Sequence, residues 1–146
     1  MNTDFYLARM ERLLEEYLSD CDRLARERKP NELFGLKFGP SDNPRHERFA
    51  GDMAAFLGDF AAQDPDSGAV RALLGKLYRA PEDYPGTRSA YWMLIAVQAH
   101  TRDLIPRLEK QDAAALLKEY ERLWPRHMRL PVQDELLKLL KRTSAS

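Results

Sequence analysis

Cysteine is almost missing from this chain: Cys21 is the only one in 146 residues. A lone thiol closes no intramolecular disulfide, and without a Cys-x-x-Cys pair no zinc knot can form. Glycine is scarce as well, at 7 residues, which argues against a turn-rich all-β fold. Neither sign of charge is in excess, since Lys plus Arg and Asp plus Glu number 23 each. Such a chain has no global field drawing it to nucleic acid or anionic lipid, although local patches remain open. Long apolar runs are lacking too. The longest, Ala90 to Val97, falls far short of the ~20 residues that span a bilayer. The N-terminal residues Met-Asn-Thr-Asp-Phe-Tyr-Leu-Ala-Arg-Met-Glu-Arg contain no apolar core of signal-peptide length. A cytoplasmic protein is the expectation.

What is present is an ordinary globular balance, 44% apolar and 32% charged, rich in the Leu, Ala, Glu and Arg that favour helices. The length suits one all-α domain over residues 1–146. Periodicity and end signals predict about six helices, near 4–29, 44–63, 68–79, 88–109, 113–124 and 132–142, with 143–146 a frayed tail. In the first, Thr3 is the expected cap and Leu7, Met10, Leu14, Tyr17, Cys21 and Leu24 form a heptad stripe. That stripe fits one side of a bundle or the seam of a homodimer; Leu13, Leu18 and Ala25 widen it in favour of the bundle.

Pro30 ends the first helix. Residues 31–43 alternate Phe34, Leu36 and Phe38 with Gly and Lys, an extended strip that either plugs the end of the core or has a function of its own. Asn43-Pro44 opens the second helix, whose inward residues are Phe49, Met53, Phe56, Leu57 and Phe60. Ser67 is the expected cap of a short third helix burying Val70, Leu73, Leu74 and Leu77, with Pro81 and Pro85-Gly86 breaking the chain after it. Thr87 is the expected cap of the fourth.

From Tyr91 to Val97 the fourth helix is apolar around its whole circumference, which predicts burial on all sides and a central position. Trp92 is then a core residue. Val97, Leu104, Ile105 and Leu108 continue one stripe toward a kink at Pro106, and Thr101 is expected to bond back to its own helix. Asp112 is the expected cap of the fifth helix, and Pro131 opens the sixth. The Leu-Leu pairs at Leu13-Leu14, Leu73-Leu74 and Leu116-Leu117, each followed by a tyrosine, suggest stacked helix hairpins. The architecture is therefore an irregular bundle or a short α-α superhelix of HEAT or armadillo type around the fourth helix.

No motif names a reaction. A di-iron bundle needs Glu-x-x-His pairs, but the residues three before His46, His100 and His127 are Asn43, Val97 and Trp124. His46-Glu47 is followed by Arg48, Phe49 and Ala50, so the His-Glu-x-x-His of a zincin is absent. There is no Gly-x-Ser-x-Gly elbow and no Gly-rich phosphate loop. No metal, cofactor or catalytic residue is expected, and the enzyme reading has no support from motifs. His100 and Asp103 lie one turn apart, either a carboxylate-oriented histidine beside a pocket or, more simply, an exposed pair beside Arg102.

Two stretches rise above this background. In the first, Tyr84, Arg88, Tyr91 and Trp92 gather at a helix N-terminus, with His100 and Asp103 further along, a place for an anion or a partner. In the second, the basic residues Arg122, Arg126, His127 and Arg129 interleave with Trp124. The sequence favours a non-catalytic helical protein-interaction module, an adaptor or regulatory subunit with a protein partner and no membrane. The alternative is a small-molecule-binding domain or enzyme with a pocket beside the fourth helix, and nucleic-acid binding through 122–129 is the third.

Overall fold

A computed structural model describes residues 1–27, 32–33, 36–37, 43–84 and 88–145, with side chains for 1–23, 45–84 and 90–145. Six helices carry the fold: α1 Thr3–Glu27, α2 Asn43–Ala62, α3 Ser67–Asp83, α4 Arg88–Ala96, α5 Lys110–Leu123 and α6 Pro131–Ala145. An all-α bundle is the result. Between α1 and α2, Glu32–Leu33 pairs antiparallel with Leu36–Lys37. That is the part of the expected extended strip that falls on described residues; the side chains of Phe34 and Phe38 lie outside them, as does Thr87.

The helix ends show which local chemistry won. Asn2 rather than Thr3 caps α1, its Oδ1 accepting from the Phe5 N–H at 3.2 Å. Asp66 rather than Ser67 caps α3, accepting from Ala69 N at 2.8 Å. An oxygen one residue earlier reaches the third helical amide equally well, so the boundary shifts by one. α3 also runs through Pro81 instead of ending before it. Pro81 forfeits one amide bond, its ring is buried, and the Tyr84 N–H closes the last turn onto Ala80 O at 2.9 Å. At the chain's end the expected frayed tail is helical through Ala145, with Thr143 Oγ1 donating to Leu139 O at 2.9 Å.

The largest departure is in the fourth helix. In place of one helix over 88–109, α4 stops at Ala96 and gives way to two 3-10 turns, Val97–Thr101 and Ile105–Arg107. Thr101 Oγ1 donates to Gln98 O at 2.7 Å, the local back-bond expected of it, and this competes with regular winding. Pro106 then removes an amide from the following turn. The tighter segment keeps its stripe inward: Val97, Leu104, Ile105 and Leu108 are all buried.

This segment, not α4, is the centre. It packs against α2, α3, α4 and α6, and Arg107 Nη1 ties it to the end of α2 through Ala61 O at 3.0 Å. α4 itself buries Ala90, Leu94 and Ile95 but leaves Trp92 45% exposed, so the expectation of a helix without a solvent face fails. The all-apolar run Ala90 to Val97 reads as central only because sequence cannot say whether neighbours cover both sides.

A superhelix needs each hairpin to touch only its neighbours. Here α1 packs on α2 and α3, α3 on α5, and α6 on the 3-10 segment, contacts between adjacent hairpins that a bundle and a short superhelix both make, and the described elements share one connected core. Met10, Leu14, Tyr17 and Cys21 of the heptad stripe face that core. This part of the seam is spent inside the chain and is not open to a second copy.

Two helix N-termini meet where α3 and α5 start. The Ser67 hydroxyl donates to Asp112 Oδ2 at 2.5 Å and accepts from Glu109 N at 2.7 Å, while Arg71 Nη1 holds the other Asp112 oxygen at 3.0 Å. Asp112, expected to cap α5, is thus in its first turn and bridges to α3, and the cap position Glu109 makes no side-chain cap bond. The Ser67 hydrogen bond first, and the Arg71 guanidinium second, hold the Asp112 carboxyl below its ordinary value of 3.8. A carboxyl depressed on folding stabilises the fold above its unfolded pKa, and that share is lost as pH falls through the lower folded value. Asp112→Asn should therefore flatten the acid limb of the stability profile below the ordinary carboxylate pKa. Chemical denaturation across acid pH checks this; identical limbs for variant and wild type would contradict it.

Candidate functional site

α4 starts beside the end of α3, and this junction places the aromatic residues. The three apolar residues Ala90, Leu94 and Ile95 recur at helical spacing and turn one side of α4 into the core. Trp92 is thereby directed outward, while Tyr91 stays half-buried. The rings of Tyr91 and Trp92 stand nearly perpendicular, 5.4 Å apart and 78° between planes. Tyr91 in turn meets the edge of Trp124 at 6.4 Å. Behind the exposed indole there is thus a firmly packed aromatic, and Trp92 stands on a rigid base.

Tyr84, the residue that closes α3, is half-buried at the same junction. Burial first, and then the carboxylates of Glu15 and Asp83, push its phenol up. Tyr91 is raised likewise, by burial and then by Glu82. Tyr84 is thus within electrostatic reach of Glu15 and Asp83, and Tyr91 of Glu82. Glu11 of α1 pairs with Lys76 of α3, which sets the two helices side by side. One turn further along α1, Glu15 shares an open hollow of about 470 Å³ with Glu16, Ser19 and Asp20. Sequence reading missed these acids because they look like solvated helix faces, and the packing of α1 on α3 is what brings Glu15 within reach of Tyr84.

The other expected residues are not brought here. The side chain of Arg88 lies outside the described residues. His100 and Asp103 are both exposed, on the first 3-10 turn and just after it, and they make no hydrogen bond or ion pair with each other. In the basic stretch, Trp124 is 1% exposed, while Arg122, Arg126 and His127 are exposed. Arg129 Nε donates back to Trp124 O at 2.7 Å. This stretch consequently offers cations and the His127 ring, while its tryptophan is not available for a base to stack on.

Elsewhere, a cleft of about 330 Å³ between α1 and α2 is lined by Arg9, Arg12, Leu13, Glu16, Asp52 and Ala55. Its opposed charges largely cancel. Tyr17 OH and His46 Nδ1 are 2.5 Å apart, and Tyr17 stacks on Phe49 with ring centroids at 3.9 Å, joining α1 to α2. Among the described residues no three His, Cys, Asp or Glu side chains converge as metal ligands. No helix among them is long and apolar enough to cross a membrane. Comparison of the chain with family models, curated proteins and solved structures finds no match.

Proposed function

We propose that this chain is a non-catalytic helical interaction module of the cytoplasm, an adaptor or regulatory subunit that docks a protein partner on the face formed by Tyr84, Tyr91 and Trp92. The observation that carries the reading is Trp92, 45% exposed on the most apolar of the six helices. A large aromatic side chain held outward on a rigid base loses little conformational entropy on binding, which is why tryptophan and tyrosine are enriched at interface hot spots. The two clefts described above lie along α1 rather than beside α4.

Affinity purification with the full chain and with Trp92→Ala tests the reading. The expected result is a protein retained by wild type and reduced at least about tenfold by Trp92→Ala. The control His100→Ala should retain it fully. Identical protein profiles for wild type and Trp92→Ala, with both variants folded, would remove the reading.

A further inference from the structure

We infer that the cleft between α1 and α2 binds a small zwitterion, an α-amino acid with an aliphatic side chain. Arg12 receives its carboxylate, Glu16 and Asp52 its ammonium group, and Leu13 and Ala55 its side chain. The inference goes beyond the docking reading and shares no residue with the Trp92 face.

The first argument is the cavity itself. Arg9, Arg12, Leu13 and Glu16 of α1, with Asp52 and Ala55 of α2, line one hollow of about 330 Å³. That is the lower end of the roughly 300–1,000 Å³ usual for small-molecule sites, which suits one small molecule rather than a large cofactor. Leu13 is half-buried against the core and Ala55 presents only a methyl group, so the lining between the charges is apolar.

The second argument is which lining charges are already used. Arg9 is fixed: its Nη2 donates to Asp59 Oδ2 at 3.1 Å, and its guanidinium lies 5.3 Å from the centre of the Phe56 ring. Asp52 is held only loosely, by the exposed Arg48 at 4.0 Å. Arg12 and Glu16 have no hydrogen-bond or ion-pair partner among the described residues. They stand one turn apart on α1, but base before acid at that spacing is the weaker order for a helical pair. A guanidinium and a carboxylate on the same wall of the hollow are therefore both unspent.

The third argument is the balance of charge. Two cations and two anions line the hollow. A lone anion such as phosphate would face Glu16 and Asp52, and a metal ion or polyamine would face Arg9 and Arg12. A molecule carrying both charges a few bonds apart meets each with its opposite. The planar fork of Arg12 suits a carboxylate, which it can hold through two parallel hydrogen bonds.

The full chain, labelled with nitrogen-15, should be titrated with L-leucine, with L-leucinamide, which lacks the carboxylate, and with 4-methylpentanoate, which lacks the ammonium group. L-leucine is expected to shift the amide signals of Arg12, Leu13, Glu16, Asp52 and Ala55 saturably. Each analogue should bind at least about tenfold more weakly. Arg12→Gln and Glu16→Gln should each weaken L-leucine about tenfold, and Ala55→Phe, which fills the hollow and keeps its charges, should abolish binding. Arg12, Glu16 and Ala55 are exposed, so thermal midpoints near that of wild type will separate lost binding from lost folding. The inference falls if L-leucine gives no saturable shift up to about 10 mM. It falls equally if either analogue binds as tightly as L-leucine, or if Arg12→Gln or Ala55→Phe binds unchanged. The Trp92 reading stands under every one of these outcomes.

Discussion

Trp124→Ala lowers the unfolding free energy by about 3–5 kcal/mol, while Trp92→Ala lowers it by less than about 1 kcal/mol. The two tryptophans of the chain occupy opposite environments, 1% and 45% exposed. Truncating Trp124 leaves a void between the end of α5 and α4, where Tyr91 loses the indole edge it packs against. The indole N–H of Trp124 has no hydrogen-bond partner, so its removal orphans no other group. The loss is therefore one of burial and packing alone. Trp124→Phe, which keeps an aromatic ring and deletes the unpaired donor, should retain most of the stability. Truncating Trp92 removes mainly a contact with Tyr91 that water can replace. Denaturant titration of the three variants checks the order. Equal losses at positions 92 and 124 would overturn the assignment of which tryptophan is core.

Tyr120→Phe costs about 1–3 kcal/mol, and adding Gln98→Leu returns stability to near that of wild type. Four side chains make a buried polar chain across the centre of the fold. Thr101 spends its only proton on Gln98 O, so Tyr78 must donate to Thr101 Oγ1, at 2.7 Å. Tyr120 OH donates to Gln98 Oε1 at 3.0 Å, and the two tyrosine rings meet edge to face at 5.0 Å. Burial drives both phenols' ionisation upward, so each remains a neutral donor. Gln98 is fully buried and its Nε2 has no partner. Tyr120→Phe therefore leaves the whole Gln98 amide unsatisfied, whereas the double change removes both halves of the bond. A double-mutant cycle in which the two effects simply add would refute this coupling.

That polar chain also shows where sequence reading stops. Gln98 and Thr101 sit in a helical pattern, and Thr101's bond to its own backbone was legible from its residue type. Their burial against Tyr78 and Tyr120 was not, because it depends on α3 and α5 closing over them. After Ala96 regular winding gives way to 3-10 turns, which the uninterrupted helical pattern did not show. Cap positions missed by a single residue, as at Asn2 and Asp66, reflect side chains that reach the same amide from either place.

The candidate site divides in a similar way. Tyr84, Tyr91 and Trp92 were visible as an aromatic cluster, but their pattern implied burial for Trp92. Glu15 and Glu82 are 67 positions apart in the chain, as 82 minus 15 shows, and nothing local connects them.

By itself, the sequence determined that the chain is helical, where five of the six helices lie to within a few residues and where the fourth begins, and which face of α1, α2 and α3 turns inward. These follow from periodicity and end chemistry, which are local and repeat every turn. Only the tertiary structure decided that the centre is the 97–107 segment, that Trp124 is core and Trp92 is surface, and that Glu15 of α1 comes within reach of Tyr84. Each of these depends on which helices cover which, and coverage is a property of the packed ensemble of helices rather than of any one of them.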